Sequence, residues 1–92
     1  MAYDIRPLIL FERSFSKIPQ GDQKRIAEKL DHLATHPETI GASMKNLPHD
    51  LRGLHKARVR GWRIFYWADH QKKEIIPYNI NWRDKAYKHL LG

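Results

Sequence analysis

Apolar positions change their period several times along this 92-residue chain, and each change predicts an element. Residues 3–10 carry Tyr3, Ile5, Leu8, Ile9 and Leu10 and read as a short strand. Within it Pro7 cannot donate to a ladder, which points to a sheet border or a strand end. From Phe11 the spacing turns helical, with Phe11, Phe15 and Ile18 at i, i+4 and i+7. Pro19, Gln20 and Gly21 break that helix. Asp22 stands where an N-cap would, ahead of a stripe of Ile26, Leu30, Leu33 and Ala34, with Lys24, Arg25, Glu28 and Lys29 on the water side. Pro37 closes this second helix after His36. The two helices predict an αα-hairpin whose joined apolar stripes must cover something, and the strand patterns further along the chain offer a sheet for them.

Residues 38–53 contain Gly41 and Pro48 and no sustained period, so they read as a loop of a length that often carries function. Residues 54–67 alternate basic and apolar side chains around Gly61, the pattern of a β-hairpin with Arg60 and Gly61 at its turn. That register sets Arg58 opposite Arg63, Lys56 opposite Phe65, Ala57 opposite Ile64 and Val59 opposite Trp62. A turn over 69–73 leads to a strand over 74–80, whose Pro77 implies an irregular or edge position. Asn81 can cap a last short helix with Arg83 and Tyr87 on one face and Ala86 and Leu90 on a neighbouring one. The expected class is α+β in the order β-α-α-β-β-β-α: a small, mostly antiparallel sheet packed on an N-terminal helical hairpin, with a short C-terminal helix, all in one domain over 1–92.

Charge alters the picture more than composition does. The net charge is +7, yet residues 1–44 hold six basic and six acidic side chains, so the whole excess lies in 45–92 with eleven basic and four acidic. That half also holds Trp62, Phe65, Tyr66, Trp67, Tyr78, Trp82 and Tyr87, and basic residues interleaved with aromatics suit a polyanion, most simply nucleic acid. Directly opposed like charges on one sheet face cost about 0.2–1 kcal/mol, so Arg58 against Arg63 asks for a negative partner. Cysteine is absent, which excludes thiolate nucleophiles and disulfides and fits a reducing compartment. No apolar run is long enough to cross a bilayer, and a cytoplasmic location is expected.

Phosphate loops, zinc-protease signatures and nucleophile elbows are all missing. His32 and His36 are four apart, but no third ligand accompanies them, so neither a metal nor a cofactor is expected. Cations with an aromatic suit metal-free RNA cleavage. The ribose 2′-hydroxyl attacks the adjacent phosphate, cations stabilise the developing charge, and an acid protonates the leaving 5′-oxygen. Arginine serves the second role better than lysine because its planar fork meets two phosphate oxygens.

Several segments together resemble the RelE/ParE superfamily of toxins from toxin-antitoxin modules, and most closely the RelE branch. They are Asn46-Leu47-Pro48 and Leu51-Arg52-Gly53-Leu54 in the loop, Gly61-Trp62-Arg63-Ile64-Phe65-Tyr66 in the hairpin, and Asn81-Trp82-Arg83-Asp84-Lys85-Ala86-Tyr87 at the end. The resemblance implies a ribosome-dependent mRNA interferase that cleaves mRNA in the A site and is silenced by an acidic cognate antitoxin. It further implies catalytic roles for Lys56, Arg58, Arg63, Arg83 and Tyr87, and contacts to mRNA or ribosomal RNA from Arg52, Arg60, Trp82 and Lys85. Asn81 and Trp82 stand where the family has Gly-His or Gly-Lys, so a histidine base is missing there, and the general base stays unassigned. Two other readings share the fold: a ParE-like inhibitor that binds DNA gyrase, and a non-toxic relative that only binds a partner.

Overall fold

The computed structural model describes residues 2–82, and every structural statement below concerns them. The chain runs β1 (Asp4–Ile5), α1 (Ile9–Ser16), α2 (Gln20–Thr35), two short 3-10 turns (Pro37–Thr39 and His49–Leu51), β2 (His55–Val59), β3 (Trp62–Asp69) and β4 (Glu74–Trp82). The strands form one sheet in the order β1-β4-β3-β2, antiparallel except for the β1 and β4 pair. This is the expected α+β arrangement. The last helix expected from Asn81 onward lies outside the described residues, and Asn81 itself belongs to β4.

The first strand is shorter than the pattern suggested, because helix α1 already begins at Ile9. Its pairing nevertheless explains Pro7. The amides of Asp4, Arg6 and Leu8 donate to the carbonyls of Lys73, Ile75 and Pro77 at 2.8–3.0 Å. The intervening positions turn their amides away from the sheet, so a residue without an N–H costs nothing there.

The helical hairpin packs on one face of the sheet. Phe11, Ile18, Ile26, Leu30, Leu33 and Ala34 join Ala57, Ile64, Tyr66, Ile75 and Ile80 in the main core. The Gln23 side-chain amide locks the two helices by donating to the carbonyls of Phe15 and Ile18, at 3.0 and 2.9 Å. Asp22 is not the N-cap. Pro19 occupies that position, its carbonyl accepting from the amides of Asp22 and Gln23. Asp22 lies in the first helical turn and accepts instead from the Trp62 indole Nε1 at 3.1 Å. A carboxylate there complements the helix dipole and satisfies a part-buried indole N–H at once.

Residues 40–54 form a plug rather than an unpacked loop. Leu51 and Leu54 bury Phe65 in a second core, flanked by Met44, Leu47, Trp67 and Tyr78. Strand residues alternate faces, so Phe65 between Ile64 and Tyr66 puts this plug on the sheet face opposite the helices. Trp67 donates its indole N–H to the Arg52 carbonyl at 3.0 Å. The period is lost because Asn46 and Gly53 take positive φ values of 61° and 86°, which shape a turn and not a repeating element.

Strand β4 is interior, so Pro77 is not at an edge, but the irregularity it implied is real. The register with β3 shifts between Phe65 and Tyr66: Tyr66 pairs with Pro77, whereas Phe65 pairs with Asn79. One extra residue on β4 reverses its alternation. Ile75 and Ile80, five apart, consequently enter the same core. The turn before β4 is closed by Asp69, whose Oδ1 accepts from the amides of Gln71 and Lys72 at 3.0 and 2.9 Å.

Candidate nucleic-acid interface

The basic hairpin has the register read from its alternation. His55, Lys56, Ala57, Arg58 and Val59 pair with Tyr66, Phe65, Ile64, Arg63 and Trp62 respectively. Ala57 and Ile64 face the helices, so Lys56, Arg58 and Arg63 share the face of the plug. The plug packs on Phe65 and Trp67, and the next row along the sheet is polar. There Arg58 lies opposite Arg63, and Arg63 opposite Asn81. Arg58 is exposed, while Lys56, Arg63 and Asn81 are half-buried. Arg6 and Glu74 form an ion pair at 2.8 Å at another edge of the molecule, and the His36 ring lies 3.4 Å from the Glu38 carboxylate. Among the described residues neither Arg58 nor Arg63 has such a partner.

Asn81 reaches this row only because of the extra β4 residue. Continuing the alternation from Ile75 would have sent position 81 to the helix face. Its side-chain Nδ2 and the Nε of Arg63 are both sealed from solvent and lack hydrogen-bond partners. Sequence reasoning saw Asn81 as a helix cap and missed this placement. Only the proline in β4 hinted at the cause.

The remaining candidates fall in different places. Arg60, exposed, sits at the hairpin tip with φ 55°, and Arg52 is exposed at the end of the second 3-10 turn, where its carbonyl binds Trp67. Trp82 pairs with Trp62, so it belongs to the face opposite Arg63. Its ring meets Trp62 edge-on at a centroid distance of 4.9 Å and lies over the turn, where a Cβ on Gly61 would come within 2.3 Å of it. Gly61 thus supplies space, and the residue with positive φ is Arg60. Arg83, Lys85 and Tyr87 lie outside the described residues.

His55 is turned to the helix-side face, as the register requires, and stacks on Tyr66 at 5.3 Å. Burial pulls its pKa below the usual histidine value, partly opposed by a backbone hydrogen bond with Ala42. Burial likewise raises the Tyr66 hydroxyl. His32 and His36 have ring centroids 5.0 Å apart, and no cluster of three metal-ligating side chains occurs among the described residues. No helix among them is long and apolar enough to cross a membrane.

No family profile matches the chain, and no curated protein does. Solved structures do. A chain of the RelBE2 toxin-antitoxin complex of Mycobacterium tuberculosis superposes with a TM-score of 0.76 at 20% identity, over 90% of this chain and 93% of that one. The isolated Escherichia coli RelE toxin gives 0.74 at 15%, over 96% and 94%. A chain of the archaeal RelE-RelB complex of Pyrococcus horikoshii gives 0.71 at 18%, over 92% and 99%. With the strand order and the helical hairpin already described, these likenesses show that the chain has the RelE-like toxin fold.

Proposed function

We propose that this chain is the toxin of a toxin-antitoxin pair and acts as an endoribonuclease on mRNA held in the ribosomal A site. The observation that carries the reading is the Arg58-Arg63 cross-strand pair on the plug side of the sheet, without an acidic partner among the described residues, with Lys56 one row away. A phosphodiester laid across that row would meet two guanidinium groups. As the 2′-oxygen bonds to phosphorus, its proton leaves to a base, and as the bond to the 5′-oxygen breaks, that oxygen takes up a proton. The charge that builds on the non-bridging oxygens between those events is what Arg58 and Arg63 would stabilise. Lys56 adds a further cation to the phosphate path, and Arg52 and Arg60 flank it at the plug and the hairpin tip. Arg83 and Tyr87 would complete the site from the tail, with Lys85 as an RNA contact. His55, on the opposite face, is not the base.

The partners of this reading are the ribosome with its bound mRNA and an acidic antitoxin that neutralises the basic face. Both RelBE2 and the archaeal RelE-RelB structure are complexes of such a toxin with its antitoxin, which supports an antitoxin here. The test is induced expression with mapping of mRNA 5′ ends. The expected result is growth arrest with cuts inside translated frames, reduced by about 10²–10³ in Arg63→Ala, the cost of removing one preorganised charge-stabilising donor. Arrest with intact mRNA and a DNA-damage response would refute cleavage and favour gyrase inhibition.

A further inference from the structure

We infer that Arg63 and Asn81 form an anion receptor, in which the Asn81 carboxamide is a phosphate-binding group beside the arginine. The inference rests on the ribonuclease reading only for naming the anion as an RNA phosphodiester. The two residues are direct cross-strand partners on the plug side of the sheet, so their side chains leave the sheet side by side. Both carry a buried donor with no acceptor, Arg63 Nε and Asn81 Nδ2. An unmet buried donor is costly, and folded proteins hold few of them. Two on one cross-strand pair is the arrangement expected where a ligand, and not the protein, supplies the acceptors.

The surroundings select an anion. Arg58 stands on the other side of Arg63 in the same row, with no acidic partner among the described residues. An acceptor entering the row would therefore meet the guanidinium groups of Arg58 and Arg63 and, at the end of the row, a neutral amide. The amide adds direction without adding charge. Because both donors are sealed in the free chain, binding must turn the two side chains outward about their own torsions. The unmet donors of the free state would then become bonds in the bound one. Asn81 arrives in the row through the register shift on β4, so the receptor depends on that irregularity as well as on the hairpin.

The test uses the full chain, labelled with nitrogen-15, titrated with sodium phosphate and, at matched ionic strength, with sodium chloride. The side-chain amide resonances of Asn81 and the Nε–H resonance of Arg63 are expected to shift saturably with phosphate and not with chloride. Asn81→Ala should weaken phosphate binding about ten-fold, the size of one hydrogen bond to a charged group, and melt no lower than the wild type because no internal bond is lost. Unmoved resonances, affinity within two-fold of wild type, or a lower melting temperature for Asn81→Ala would each overturn the receptor. A short oligoribonucleotide made uncleavable by 2′-deoxy sugars should shift the same resonances. Since Asn81 is neutral, Asn81→Ala should leave the salt dependence of that binding unchanged, whereas Arg58→Ala should reduce its slope by about one. Phosphate binding without oligonucleotide binding would overturn the assignment to RNA. Oligonucleotide binding at these resonances without any mRNA cleavage in cells would leave the receptor standing and remove only the ribonuclease reading.

Discussion

Replacing Arg58 by glutamate should make the protein more stable and inactive at once. In the free chain Arg58 and Arg63 are direct cross-strand partners on β2 and β3. Two like charges about 6 Å apart in a water-like dielectric repel by about 0.7 kcal/mol, within the ~0.2–1 kcal/mol typical of opposed like charges on a sheet. Arg58→Gln removes that repulsion. Arg58→Glu replaces it by attraction of similar size, discounted because Arg58 is exposed and ordering a surface pair costs side-chain entropy. The net gain is about 1 kcal/mol for glutamate and about half that for glutamine. In a domain of this size 1 kcal/mol corresponds to about 4–8 °C in Tm. Thermal melts at low salt should therefore rank glutamate above glutamine above wild type. At 1 M salt, where the screening length is about 3 Å, the differences should collapse. The same glutamate reverses one charge and removes two units from the phosphate-facing row, so RNA binding should lose about two from its salt slope. A variant series that falls in Tm, or whose ranking survives high salt, would refute the claim that the opposed arginines are a cost of function.

Two further predictions concern the frame that holds the row. Asp22→Ala leaves the Trp62 indole N–H without its acceptor and should cost about 1–3 kcal/mol; Asp22→Asn keeps an acceptor and should recover most of it, as read by melting and by tryptophan fluorescence. The second is pH dependence. Burial lowers the His55 pKa in the folded state, so the unfolded chain binds the extra proton first. Stability should be full above the ordinary histidine pKa of about 6.5, decline as pH falls from there toward the folded value, and level off below it. His55→Gln should flatten that part of a Tm-against-pH curve, and an unchanged slope would exclude His55 as its source.

Much of the fold was legible because its signals are local. The helix stripes Phe11-Phe15-Ile18 and Ile26-Leu30-Leu33-Ala34 all reach the core or pack against it, since a 3.6-residue period leaves one face to bury. Period-two alternation around Gly61 placed four hairpin pairs, and the fifth, His55 with Tyr66, continues the same register. Other features carry no such signal. The plug over residues 40–54 is held by contacts of Leu51 and Leu54 with Phe65, which no repeating spacing announces. Asp22 looked like a cap because its type suits one, but Pro19 already filled that position and the carboxylate bonded across forty residues to Trp62.

The basic face itself shows where the division lies. Residue types and a period of two were enough to bring Lys56, Arg58 and Arg63 onto one side of a hairpin, because successive strand side chains must point to opposite faces. Which residue stands next to Arg63 on its other side was decided by a single extra residue in β4, and with it the face on which both Asn81 and Trp82 lie. A pairing register between distant strands depends on how the whole sheet packs between the helices and the plug. No alternation within one strand can reveal where a partner strand makes it skip.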